Sequence, residues 1–200
     1  MRCVSIEACR SWLAHSGLRL DEHRRLEAID GNLCPPLYVV TEKYRGSLPE
    51  LSRELLDWMP AGRERLLIVS EWSNYPPDWL HIFETIRRGC GVSRSLSDAP
   101  GHLFIATKDS TTHYADRPSI DVEEEAVAMW LMGLMLEWTW SGYAVVKGCR
   151  DAVWLGDGFV GFLSPDPARL DVANALIAER GLKSSDIFPW RPAERRPVVH

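Results

Sequence analysis

Cysteine is sparse in this 200-residue chain and never clustered: Cys3, Cys9, Cys34, Cys90 and Cys149 form no C-x-x-C pair and are odd in number. A zinc site takes two thiolates or imidazoles from one short turn, and a disulfide framework needs many paired cysteines in a small secreted chain. Neither pattern is here, so no metal or cofactor is expected. Scattered reduced thiols fit a buried role in a cytoplasmic protein. Clustered positive charge is missing too. The 23 basic side chains are outnumbered by 28 acidic ones, the net charge is -5, and Arg87, Arg88 and Arg94 form the one loose basic group inside the chain. Nucleic acid is gripped by grouped Lys and Arg that replace phosphate counterions, so it is not an expected partner. A basic protein partner suits the balance better.

Long hydrophobic runs are lacking as well. Ala126–Leu136 is apolar apart from Gly133 and is followed by Glu137. As a helix it rises only about 16 Å, against a hydrocarbon core of roughly 30 Å. A buried central helix is therefore expected, and no membrane span. Met1–Ala14 carries Glu7, Cys9 and Arg10 where a signal peptide would be apolar. Catalytic signatures are absent: there is no G-x-S-x-G elbow, phosphate-binding glycine loop or H-E-x-x-H helix. Gly156-Asp157-Gly158 lacks the further oxygen ligands of a calcium loop.

What is present is ordinary globular composition, 46% apolar and 26% charged, with tryptophan in excess at nine residues. Ser5–His15 reads as a helix that Ser5 caps and Gly17 ends. Leu37–Thr41 and Leu66–Val69 read as strands, the second buried on both faces because its apolar run is continuous. Between them, Ser47 and Glu50 form a capping box for a helix through Leu51, Leu55 and Trp58 that stops before Pro60. These three elements are expected to form a βαβ unit with a parallel strand pair. Pro76-Pro77-Asp78 opens a helix through Trp79, Ile82, Phe83 and Ile86. Residues 92–119 read as loop, apart from a strand at His102–Ile105.

Glu123-Glu124-Glu125 opens the apolar helix, where carboxylates favour the helix dipole and solvate its end. After Gly142, strands are expected at Tyr143–Val146, Asp151–Leu155 and Phe159–Leu163, then a helix over Asp166–Gly181. The resulting expectation is a single α+β domain over residues 1–188, with an extended Pro-rich tail at 189–200. It should hold a mixed sheet, helices mainly on one face, and one buried apolar helix at about 122–138.

Two local features point to a surface that binds. Asp98-Ala-Pro-Gly-His102 fixes a turn directly before a strand, and Trp154-Leu-Gly-Asp157-Gly158 sets an aromatic beside a tight turn. If both lie at one sheet edge they share a surface. Trp72 and Tyr75 sit in a loop signal, Glu71–Pro77, where such side chains make good anchors. Trp58, Trp79 and Trp130 fall on apolar helix faces and read as core.

Arg87-Arg88, Pro100-Gly-His-Leu-Phe104, the acidic start Glu123–Glu125, the apolar helix Ala126–Leu136 and the aromatic strands of Gly142–Leu163 follow one another in a set order. Over Phe83–Asp166 this order resembles that of a group of bacterial proteins of unassigned function. In style the chain, small, acidic and rich in Trp, is also similar to the immunity proteins of bacterial toxin systems. That likeness implies inhibition without catalysis, an acidic and aromatic face covering a toxin's active site.

The function expected is accordingly that of a non-enzymatic, cytoplasmic protein-binding domain, with Trp72, Tyr75, Asp98, His102, Trp154 and Asp157 as its contact residues. Its partner would be a protein, such as a basic toxin, steered by opposite charge. The alternative is a small enzyme with a site near His102, Asp98 and Cys90. A self-associating subunit, with its apolar helix covered by a second copy, is a third reading.

Overall fold

The computed structural model describes residues 2–41, 44, 46–60, 64–69, 101–105, 120–137, 141–156 and 158–189. The first helix, α1 (Ile6–His15), starts where expected, because the Ser5 hydroxyl accepts from the Ala8 amide at 3.3 Å. The second, α2 (Leu48–Trp58), has its full capping box: Glu50 N–H donates to Ser47 Oγ, and Ser47 N–H to Glu50 Oε2 at 2.8 Å. The apolar helix is α3 (Ile120–Glu137), and the last is α4 (Pro167–Glu179), capped by the Asp166 carboxylate on Ala168 N–H at 2.9 Å.

Ten strands are formed by the described residues: β1 (Arg2–Val4), β2 (Leu18–Leu20), β3 (Leu26–Ala28), β4 (Leu37–Val40), β5 (Glu64–Val69), β6 (Gly101–Ile105), β7 (Gly142–Val146), β8 (Ala152–Gly156), β9 (Phe159–Leu163) and β10 (Ser184–Ser185). Eight of them build one sheet in the order β1-β6-β5-β7-β8-β9-β4-β10, while β2 and β3 pair as a separate hairpin.

This is the α+β domain that the sequence pattern predicts, but the pairing differs in one respect. Every ladder in the sheet is antiparallel. β4 and β5 do run in the same direction and α2 does connect them, yet β7, β8 and β9 stand between them. The expected parallel pair is thus opened, and the later antiparallel meander fills it. A parallel pair bonds less favourably per residue than the antiparallel ladders that replace it.

Strand residues alternate between two cores. Leu67 and Val69 of β5, Ala144 and Val146 of β7, Val153 and Leu155 of β8, and Val160 and Phe162 of β9 face α2, α3 and α4. Their neighbours Leu66, Ile68, Tyr143, Val145, Ala152 and Leu163 face α1 and the β2–β3 hairpin. Three of the four helices among the described residues therefore cover one face. The five consecutive buried residues Arg65–Val69 explain the unbroken apolar run of β5, which has a core on each side.

The central helix buries Ala128, Met129, Leu131, Met132, Leu134, Met135 and Leu136. Trp130 corrects an expectation: it is 57% exposed and is not core. A helix that is apolar all round has no period to select its buried face, and here packing selects it. Gly133 lies against α2, where an added Cβ would stand 3.6 Å from Leu48 Cβ. Ala126, Trp130 and Glu137 form the exposed stripe. Glu125 is also buried, at 9%, and its charge acts on Arg65, so it does not solvate the helix end. Among the described residues no helix is long and apolar enough to cross a membrane.

Candidate binding surface

On the face opposite α2–α4, the side chains of α1 and the hairpin cover β5, β7 and one end of β8 and β9. Cys9, Leu13, Leu18, Leu26 and Ala28 form that cover. The remaining part of the face, on β8, β9 and β4, carries aromatic rings. Register sets them in a row across the sheet: Tyr143 opposite Trp154, Trp154 opposite Gly161, Gly161 opposite Tyr38, and Tyr38 opposite Ser185.

Gly161 is the gap in that row. A Cβ there would sit 3.3 Å from Trp154 Cβ and 3.4 Å from the Tyr38 ring, so its absence lets Trp154 and Tyr38 meet with ring centroids 6.1 Å apart. Gly156 has the same role one row on. Phe159 lies over it, 2.3 Å from where a Cβ would be, and reaches Trp154 edge-on at 5.1 Å. Two strand glycines that would weaken β8 and β9 in isolation are thus the floor on which the large rings rest. Edge-to-face pairs of this kind contribute about 0.5–1.5 kcal/mol each beyond their burial.

Trp154 holds the centre. It stacks on Tyr143 at 5.6 Å and 28°, and its indole N–H donates to Ser141 Oγ at 3.3 Å. Burial pushes the phenol pKa of both Tyr38 and Tyr143 upwards, most strongly for Tyr143, where a backbone hydrogen bond at Leu26 only partly offsets it. Phe188 closes the cluster from the far side, stacked on Trp154 and edge-on to Tyr38 and Phe159. It arrives from the segment after β10, which has crossed from the α4 face around the sheet edge. The rim of this cluster is apolar and open to solvent: Val40 is 39% exposed, Phe188 38% and Ile187 74%.

Of the contact residues expected from sequence, Trp154 is placed in this cluster. His102 is not. It stands on β6 at the register position opposite Cys3 and Leu67, with β5 and β7 between its strand and that of Trp154. Neither β6 nor β8 is an edge of the sheet, so the condition on which the two turns would share a surface, that both lie at one sheet edge, is not met by these strands. Trp72, Tyr75, Asp98 and Asp157 lie outside the described residues, as do Cys90, Trp79, the helix expected from Pro76 and the tail from Trp190. Sequence reasoning missed Tyr38, Phe159, Gly161 and Phe188. The signal was there in the spacing of Phe159-Val-Gly161-Phe-Leu163, whose odd positions share one face with the small residue in the middle.

Other polar groupings are structural in character. Ser164 Oγ–H donates to Asp151 Oδ1 at 2.7 Å and accepts from Asp166 N–H, while Asp151 Oδ2 accepts from Arg169 Nε at 3.2 Å. This hydroxyl faces a carboxylate that is itself held by a guanidinium, and among the described residues it hydrogen-bonds to Asp151 and the Asp166 amide. Arg169 in turn lies over the Trp58 ring at 5.0 Å and exchanges hydrogen bonds with the Trp58 carbonyl and indole. The set ties α4 to the β8–β9 hairpin and to α2.

On the hairpin, an open depression of about 530 Å³ is lined by Arg19, Asp21, Glu22, His23, Arg25 and Glu27. Its charges already pair, Arg19 with Glu27 and Arg25 with Asp21. Among the described residues no group of three or more His, Cys, Asp or Glu is placed to hold a metal ion. Comparison with family models, curated proteins and solved structures returned no match.

Proposed function

We propose that this chain is a protein-binding domain that acts without catalysis, of the kind that inhibits a basic toxin-like protein in the bacterial cytoplasm by covering it. One observation carries the reading: four packed rings, Tyr38, Trp154, Phe159 and Phe188, end in a solvent-open rim of Val40, Ile187 and Phe188. Rigid aromatic side chains with a partly exposed apolar margin are the common anchors of protein interfaces, since they bury large areas with few rotors. The acidic balance of the chain adds steering towards a basic partner. Free Cys9 and Cys34 accord with a reducing compartment.

The test is capture from a lysate of the source cell at low and moderate salt, comparing the native chain with Val40→Asp, on the part of the rim that belongs to β4, and with Val172→Asp. Val172 is 51% exposed on α4, across the sheet from the cluster, and serves as the control for added charge. A stoichiometric basic partner, weakened by salt, lost with Val40→Asp and kept with Val172→Asp, is the expected result. No partner at either salt, or equal loss with both variants, overturns the reading.

A further inference from the structure

We propose that the outer edge of β4 and the hollow between Tyr38, Trp154 and Phe159 form a groove for an extended peptide bearing an aromatic residue, and that residues 184–188 occupy it in cis. This deepens the protein-binding reading and rests on it, by naming the chemistry of the partner segment.

The bound segment has the form of an added strand. Ser184 and Ser185 pair with Val39 and Tyr38 at the edge of the sheet, and two residues are the whole ladder. Ile187 N–H then donates to Ser185 Oγ at 3.0 Å, a local turn that takes the chain over the edge. Phe188 thereby lands on Trp154 at 5.3 Å, edge-on to Tyr38 at 5.3 Å and to Phe159 at 5.2 Å. Main-chain pairing at an exposed edge with one side chain in a pocket is the recognition mode of strand addition, in which the ladder supplies affinity and the pocket supplies choice.

The hollow is built by the rest of the fold. Gly161 and Gly156 make room for its walls, and Trp154 is oriented by Ser141 and Tyr143. The occupant, by contrast, is held lightly. Beyond the short ladder and one bond from Ser184 Oγ to Asn174 Oδ1, its apolar side chains stay open, Ile187 at 74% and Phe188 at 38% exposure. Elements with few buried contacts open first in a folded protein. A partner strand that carries an aromatic side chain at the same spacing gains the ladder and the pocket together once the segment swings out.

The experiment adds a synthetic peptide of residues 183–189, Lys-Ser-Ser-Asp-Ile-Phe-Pro, to the full chain carrying Phe188→Ala and to the native chain, with binding read by calorimetry. A filled groove lowers apparent affinity by the fraction of chain in which it is open, so the variant should bind at least about tenfold more tightly than the native chain. A control peptide with Ala in place of its Phe should bind at least about tenfold more weakly than the native peptide, since that ring fills the pocket. Absence of binding to Phe188→Ala at millimolar peptide, or equal binding of the control peptide, overturns the proposal.

Hydrogen exchange on the intact native chain gives a second measurement that does not depend on the variant folding. The Ser185 and Ile187 amides should exchange at least about a hundredfold faster than those of β8 and β9. Equal protection overturns the proposal, because the segment would then open only with the whole sheet. Peptide binding alongside a blank capture removes the protein-partner reading and leaves the groove, and salt-sensitive capture without peptide binding does the reverse.

Discussion

Phe188 lies stacked on Trp154, 5.3 Å between ring centroids and 20° from parallel, although one belongs to a segment beyond the edge strand and the other to the interior of the sheet. Phe188→Ala removes a ring that is only partly covered, so the loss should be a fraction of the roughly 3–5 kcal/mol of a fully buried Phe, about 1–2 kcal/mol. Urea denaturation should show a lower midpoint with an unchanged slope, and tryptophan emission should shift to the red as Trp154 meets water. An unaltered midpoint and spectrum would mean that the stack does not hold in solution.

Gly142, at the start of β7, admits no larger residue. An added Cβ would be 2.1 Å from the carbonyl oxygen of Ile68, a backbone atom fixed in the adjacent strand. Gly142→Ala should cost about 3 kcal/mol or more, at the upper end of overpacking changes. Gly161→Ala meets its neighbours at 3.3 Å and 3.4 Å, a gap that small side-chain shifts restore. Its cost should be nearer 1 kcal/mol. Thermal melts of both variants check the order, and a Gly161→Ala that melts below Gly142→Ala would contradict it.

Asp151 joins Ser164 to Arg169 in a largely buried network. Ser164→Ala deletes two hydrogen bonds and leaves a carboxylate oxygen and the Asp166 amide short of a partner, at about 1–3 kcal/mol. Asp151→Ala does more, since it also leaves the Arg169 guanidinium without its counter-charge, and about 3 kcal/mol is expected. The double variant should lose less than the sum of the two, because the sites share one network. Additive losses in denaturant would show that they act separately.

Cys9 is fully buried in the α1 core, and burial pushes its thiol pKa up to about 11. In the unfolded chain the thiol ionises nearer 9.0, so between these values the folded state holds a proton that the unfolded state has lost. Its contribution to stability is therefore complete below pH 9 and declines as pH rises through 11. Comparing native and Cys9→Ala stabilities across pH 8–11 isolates this slope, which Cys9→Ala should lack. Under native conditions at pH 8, a thiol reagent followed by peptide mapping should label the partly exposed Cys34 and Cys149 well before Cys9. Equal labelling rates would refute the burial.

The helices and long strands were legible because local chemistry fixes them. Ser5, Ser47 with Glu50, and Asp166 each satisfy amides at a helix start, and the apolar runs of β5, β7 and β9 need two cores. The elements missed were the shortest. β1 and β10 are three and two residues long, and β2 and β3 alternate their core residues Leu18, Leu26 and Ala28 with Arg19 and Glu27, which pair across the hairpin on its open side. Such strands exist through their partners, and a single strand of that length has no signal of its own.

Much the same holds for the surface. Trp154 stood out by its turn, but Tyr38 and Phe188 join it only through register and through the return of the chain over the sheet edge. Trp130 shows the converse: its helix is apolar on every side, so composition made it core and packing left it in solvent.

The gap between β4 and β5 has a consequence for how the chain can be made. β4 bonds to β9 and β10, and β5 to β6 and β7, so each waits on residues that leave the ribosome later. Long-range pairing of this kind is slow and leaves strands open meanwhile. A nascent chain ending near residue 140 holds β4, α2 and β5 with the three strands that belong between them still unsynthesised. Its β5, apolar on both sides, then has β6 on one edge and the β7 edge still open. The protein becomes a domain only when β7, β8 and β9 insert as its keystone.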